Sequence, residues 1–211
     1  MQNHHGSVEL RPATPEIAPV ASRLLYLTMG PLADYWMGVD DSQIAHAILA
    51  RLFRARANLF SYEFAEYAQV SGEPAGLVLS YASRTMKALE VRTLLQFIAV
   101  TGLITSVRMV VRSFPLQSIA EAGPDEYFLA HLGVLPEFEG RGLGRQLLQR
   151  AVDKARELRL GRITLTVDAD NARAISLYAR AGFSITSTID LEPLRRRFQY
   201  HGYHHMVKVL T

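Results

Sequence analysis

The sequence predicts a mixed α/β domain, and three observations predict it. A strand pattern near the start is followed by two helical patterns and then a hairpin, Phe64 to Val70 and Ala75 to Tyr81 around Ser71-Gly72-Glu73-Pro74. From Glu126 onward, strand and helix patterns alternate. Between these halves lies a long segment, residues 84–122, with helical periodicity. A purely doubly wound sheet would alternate more regularly and would not carry the early hairpin.

Each element has a local reason. Val8-Glu9-Leu10-Arg11 reads as a short strand, and Thr14-Pro15 as a helix cap with proline at the first helical position. Ile17, Val20, Ala21, Leu24, Leu25 and Leu27 form a helical stripe that Gly30-Pro31 ends. Asp40 or Asp41 caps a second helix carrying Ile44, Ile48, Leu49, Leu52 and Phe53. The 84–122 segment breaks at Thr101-Gly102 and at Phe114-Pro115. Glu126 to Val134 is a strand that runs into a glycine loop. The next helix carries Leu143, Leu147, Leu148, Ala151, Val152, Ala155 and Leu158 and stops at Gly161. Arg162 to Val167 is a strand, Asn171 to Ala181 a short helix stopped by Gly182, and Phe183 to Ile189 and Tyr203 to Leu210 are the last strands.

Composition narrows the class. The 211 residues fit one domain, 1–211, folded over 8–211 with 84–122 as a helical insertion. Lys and Arg exceed Asp and Glu by 23 to 20, a net charge of +3, too small to argue for nucleic acid. The Arg195-Arg196-Arg197 run reads as a solvated loop. Without cysteine there are no disulfides, thiolate metal sites or cysteine nucleophiles, and no metal is expected. Met1 to His5 lacks the basic-then-apolar run of a secretory signal, so the expected location is the cytoplasm. Thr93 to Val107 holds 15 uncharged residues. A membrane span needs about 20 apolar ones, so a buried or surface-docked helical segment is expected, without stable membrane insertion.

The most informative stretch is Glu139-Gly140-Arg141-Gly142-Leu143-Gly144-Arg145, between a strand and a helix. Such a loop can turn several backbone N–H groups to one point, where the helix start adds partial positive charge. That suits a pyrophosphate. The spacing Gly-x-Gly-x-Gly is not the dinucleotide fingerprint Gly-x-Gly-x-x-Gly, and the loop lacks the Lys-Ser/Thr that ends a Walker A motif.

Two motifs together resemble the GCN5-related N-acetyltransferase (GNAT) family. The loop is similar to that family's Gln/Arg-x-x-Gly-x-Gly/Ala, with Glu139 at its first position, a departure whose side chain is expected to turn away from the pyrophosphate. Asn171 opening a helix, Tyr178 seven residues on, and Gly182-Phe183 look like the family's second signature, and Tyr203 to Leu210 like its last strand. The resemblance is specific over 126–210, loose over 8–82 and absent over 84–122. It implies the family's fold, a central mixed and mostly antiparallel sheet flanked by helices, with 84–122 inserted before the cofactor-binding strand.

The resemblance also implies a chemistry: acetyl-coenzyme A as co-substrate and a small-molecule or peptide amine as acceptor. The N–H groups of residues 140 to 145 would hold the pyrophosphate, with Gly140, Arg141, Gly142, Leu143, Gly144 and Arg145 as binding residues. The pantetheine arm would pair like an extra strand with Leu132, Gly133 and Val134. A glycine weakens a strand interior, but it suits a place where another backbone approaches or a bulge splays the strand. A backbone N–H near Val134 would stabilise the tetrahedral oxyanion. Tyr178 would protonate the leaving thiolate. Asn171, two helical turns away on the same face, would cap its helix and bond the cofactor arm. The general base that some family members carry as Glu aligns here with Ala130. His131 beside it titrates in a suitable range; Glu126, Glu66 and a water chain stay open.

The link from Leu32 to Asp41, with Asp34, Tyr35, Trp36, Asp40 and Asp41, would suit a cationic amine or serve as capping and core. The insert would cover the acceptor site, pack a homodimer partner or touch a membrane surface. A non-catalytic acyl-CoA-binding domain is the alternative function. A third reading, a basic membrane- or nucleic-acid-associated protein, would bind in a strongly salt-dependent way.

Overall fold

The computed structural model describes residues 7–30, 33–37, 39, 41–113, 123, 125–190 and 201–210. Seven strands form one sheet: β1 (Val8–Pro12), β2 (Ala65–Val70), β3 (Glu73–Ala82), β4 (Glu126–Val134), β5 (Arg162–Asp168), β6 (Ser184–Ile189) and β7 (Tyr203–Val209). Their order is β1-β2-β3-β4-β5-β7-β6. Only β4 and β5 run parallel, so the sheet is mixed and mostly antiparallel, as expected.

The helices are α1 (Ala18–Met29), α2 (Ala33–Met37), α3 (Ser42–Arg54), α4 (Met86–Thr101), α5 (Leu103–Ser113), α6 (Leu143–Glu157) and α7 (Ala172–Arg180). They build two cores. Leu24, Leu25, Leu49, Leu52 and Phe53 of α1 and α3 pack with Leu77, Leu79 and Phe128 of the sheet. Leu143, Leu147, Leu148, Ala151, Val152 and Ala155 of α6 pack with Val78, Leu129, Ile163 and Leu165. Each fully buried leucine contributes about 1.5–3 kcal/mol. The covered sheet explains why β2 is buried along its whole length rather than alternating.

The local signals act largely as read. Asp41 caps α3, its carboxylate accepting from the Gln43 amide at 2.7 Å. Ser71 and Gly72 take φ of 52° and 88°, the two left-handed residues of a tight hairpin. The insert forms α4 and α5, split at Gly102. Five details differ. Thr14 makes no side-chain cap, and a 3-10 turn over Pro15–Ile17 precedes α1. Leu27 and Ile44 are about half exposed, outside the buried stripes of their helices. Leu158 is likewise exposed while Leu160 is buried. The turn after α6 comes at Arg159, left-handed at φ 56°, and not at Gly161. Phe183 precedes β6 and packs on Tyr178. The expectations for Met1 to His5, Asp40, Phe114-Pro115 and Arg195 to Arg197 lie outside the described residues.

Candidate active site

The site exists because β4 and β5 part company. Their parallel pairing runs from Glu126↔Arg162 to Leu129↔Leu165 and stops. Beyond it, β4 stays with β3 as far as Val134↔Gly76, while β5 stays with β7 as far as Asp168↔Tyr203. A bulge starts the divergence. Leu79 pairs with His131 and Ser80 with Leu129, leaving Ala130 as the extra residue. Between the diverging strands lies a cleft of about 590 Å³.

The ladder decides which backbone groups face that cleft. Leu135 N donates to Ala75 O at 2.8 Å. In an antiparallel pair hydrogen-bonded and non-bonded positions alternate. His131 and Gly133 therefore spend their backbone groups on β3, and Leu132 and Val134 turn theirs to the open edge. Gly133 is required by its other neighbour. A Cβ there would meet Thr28 Cγ2 at 2.9 Å and the Leu24 carbonyl at 3.3 Å, so α1 can cross β4 this closely only over a glycine.

The glycine loop closes one end. Gly140 and Gly142 are left-handed, with φ of 75° and 78°, which residues bearing Cβ rarely adopt. Gly142 is the cap of α6 and no side chain bonds the first amides of that helix. The helix start thus offers unspent N–H groups and its positive dipole end to the cleft. Gly140, Gly142, Leu143, Gly144 and Arg145 all line it. Arg141 does not; its guanidinium lies over the Phe138 ring, 5.2 Å from the ring centroid. Glu139 lines the cleft, with its carboxylate in an ion pair with Arg173.

Helix α7 forms the opposite wall. Asn171 caps it, its Oδ1 accepting from the Ala174 amide at 3.0 Å. Tyr178, two turns on, is buried and lines the cleft. Burial pushes its phenol pKa up, so it stays protonated across the physiological range. No described residue hydrogen-bonds its hydroxyl.

The end of α1 completes the site. Thr28 Oγ1 lies 2.7 Å from the Leu25 carbonyl and 2.8 Å from His131 Nδ1. A hydroxyl has one proton to give. Thr28 gives it to Leu25, so it accepts from His131 Nδ1–H, and Nε2 carries the lone pair. Burial lowers the His131 pKa to about 4, so the ring is neutral at pH 7.

Of the other base candidates, Glu66 is held between Arg150 at 2.7 Å and Lys154 at 3.1 Å, and Glu126 accepts from the Gly123 amide. Neither lines the cleft. Trp36 packs on Phe60 and Phe97 as core, and Tyr35 lies under Arg112 of α5. Leu27, Thr28, Thr166, Asp168, Arg173 and Tyr203 also line the cleft and were not singled out from sequence. One signal was available for Thr28: a polar residue four positions after Leu24, on the buried stripe of α1.

A family model described as the acetyltransferase (GNAT) family matches residues 51–183. Over 73 residues the chain is 45% identical to a mycothiol acetyltransferase of Propionibacterium freudenreichii subsp. shermanii, covering 34% of this chain and 23% of that protein. Over 83 residues it is 36% identical to the N-alpha-acetyltransferase RimI of Mycobacterium tuberculosis, covering 39% of this chain and 47% of that one. The matches thus span less than half the length of either relative. Among solved structures, one described as an acetyltransferase superposes with TM-score 0.70 at 24% identity, covering 96% of this chain and all of that one. The PaiA N-acetyltransferase of Thermoplasma acidophilum, solved with coenzyme A, gives 0.55 at 13% identity, covering 97% and 99%. These structures share the fold.

Proposed function

The chain belongs to the acetyltransferase (GNAT) family, and from that premise we propose that it transfers an acetyl group from acetyl-CoA to a primary amine by direct attack. The observation that carries the proposal is the meeting, in one cleft, of an open strand edge, an uncapped helix start behind two left-handed glycines, and a buried protonated tyrosine.

Each part has a task. The open edge at Leu132 and Val134 suits the two amides of the pantetheine arm, which would add to β4 as a strand does. The amides from Gly140 to Arg145 suit the pyrophosphate, with Arg145 adding charge. Arg173 holds the Glu139 carboxylate, which removes the one acid at the loop from competition with phosphate. The Asn171 Oδ1 is used by its own helix, which leaves its Nδ2 as a donor for the cofactor arm.

The acetyl donor, when bound, supplies an activated thioester. A backbone N–H near Val134 that the pantetheine arm leaves unpaired would meet the developing oxyanion, a contact typically worth about 2.7–4 kcal/mol. Tyr178 would give its proton to the departing sulfur and regain one, through water, from the nitrogen, which sheds a proton once its bond to the acetyl carbon has formed. His131, neutral with its lone pair on Nε2, would accept a hydrogen bond from the attacking amine and orient it. Direct deprotonation of an alkylammonium near pKa 10.4 by a ring near 4 runs steeply uphill. The amine therefore has to arrive neutral, and Ala130 in place of a carboxylate fits that.

The test is an amine panel of free N-termini, lysine peptides, polyamines, aminoglycosides and amino sugars, incubated with acetyl-CoA while thiol release and acetylated product are measured. One acceptor giving equal thiol and product supports transfer. Coenzyme A binding with no product from any acceptor would favour a sensing domain.

A further inference from the structure

The insert helices turn apolar side chains outward. On α5 the covered residues are Ser106 and Met109, while Leu103, Ile104, Val107, Val110 and Val111 are exposed, Ile104 at 73%. At 3.6 residues per turn these five fall within an arc of about 120°. The polar side is used for attachment. Ser106 Oγ bonds the Gly102 carbonyl at 2.7 Å and Thr101 Oγ1 at 3.2 Å, and Arg112 donates to the Tyr35 carbonyl at 3.1 Å. This inverts the usual amphipathic arrangement. On α4, Met86, Leu89, Thr93 and Phe97 face inward, and Val91 and Leu95 are exposed on the opposite side.

Cations rim these faces. Lys87 and Arg92 flank Val91 and Leu95 on the helical wheel, and Arg108 follows the edge marked by Ile104. All three are exposed and make no ion pair among the described residues. Glu90 is the only acid from Met86 to Ser113. The outward faces carry no exposed aromatic side chain. The groove nearby, about 310 Å³ and lined by Ile44, Arg51 and Val100 among others, lies between α3 and the α4–α5 junction. Protein hot spots are commonly aromatic or arginine anchors seated in pockets. An aliphatic face rimmed by free cations is instead the pattern of helices that lie in a membrane interface.

We propose that α4 and α5 dock this domain on an anionic lipid surface. Val91, Leu95, Leu103, Ile104, Val107 and Val111 enter the headgroup–acyl boundary, and Lys87, Arg92 and Arg108 meet lipid phosphates. A second copy would bring the same cations to its own rim, which disfavours pairing of two such faces. None of these residues lines the cleft, so docking is independent of the transfer chemistry.

The test is flotation of the full chain with phosphatidylglycerol vesicles and with phosphatidylcholine vesicles, with light scattering of the free protein in parallel. Binding to the anionic vesicles alone is expected, weakened by salt. Ile104→Gln/Val107→Gln/Val111→Gln should abolish it. Arg92→Gln/Arg108→Gln keeps the apolar face, changes only exposed positions, and should weaken it by about tenfold or more. Equal binding to both vesicles, no binding to either, or a dimer in solution that the triple variant dissociates would overturn the proposal.

Discussion

Thr28 accepts a hydrogen bond from His131 across 2.8 Å, because its own proton is committed to Leu25 O. The bond selects one tautomer of a neutral imidazole. It links α1 to β4 at the point where Gly133 lets the two approach. Thr28→Val should keep the shape and remove the acceptor, lowering kcat by roughly tenfold, a part of the 10²–10⁴ that acid–base groups contribute. Thr28→Ser should restore most of it. Equal kcat in all three proteins would detach Thr28 from the reaction.

Gly133 and Gly144 should respond differently to alanine. At Gly133 the new methyl would meet Thr28 at 2.9 Å and backbone at 3.3 Å; at Gly144 the nearest atom is Leu177 Cδ2 at 3.6 Å, an ordinary contact. Gly133→Ala should destabilise by about 1–3 kcal/mol and reduce turnover. Gly144→Ala should leave the urea midpoint nearly unchanged.

Tyr178→Phe removes the proton and little else, since no described residue bonds the hydroxyl. Acetyl transfer should fall by roughly 10²–10⁴, with coenzyme A affinity preserved in a calorimetric titration. Unchanged transfer would assign the proton to another group.

Arg173 and Glu139 form an exposed pair at the glycine loop, so its effect should appear in binding rather than in stability. Arg173→Ala should raise the KM for acetyl-CoA several-fold by freeing a carboxylate beside the phosphates. Adding Glu139→Gln should reverse the rise. An additive double variant would show that the two side chains act separately.

His131 also sets a pH dependence. Its folded pKa of about 4 lies below the ordinary 6.5, so the unfolded chain binds the proton more readily between those values. Stability from this group is complete above about pH 6.5 and is lost as pH falls toward 4, by at most about 1.4 kcal/mol per pH unit. Urea unfolding at pH 7 and pH 5 should show a smaller acid loss in His131→Gln than in the parent.

The glycine-loop and α7 side of the cleft was legible because its signals are local. Gly140 and Gly142 are needed for backbone angles, Asn171 for a cap, and Tyr178 shares a helix face with Asn171 by simple periodicity. The rest depends on chain crossings that no window of sequence contains. The bulge at Ala130 appears only when β4 is laid against β3. The partnership of Thr28 with His131 spans 103 residues. Arg141 reads as a phosphate ligand by position, yet Phe138 is near enough to take its guanidinium. Glu66 and Glu126 looked free as bases until the folded chain supplied Arg150, Lys154 and the Gly123 amide as their partners. The outward apolar face of α5 inverts the rule by which helix faces are assigned, because hydroxyls and Arg112 make its inward contacts.

A crystal structure of the chain with coenzyme A tests the assignment of the cleft most directly. The expected result is a pyrophosphate on the amides of residues 140 to 145, pantetheine amides paired with the backbone of Leu132 and Val134, and the sulfur within hydrogen-bond reach of Tyr178 Oη. Coenzyme A bound elsewhere, or in the cleft with its sulfur remote from Tyr178, would contradict it.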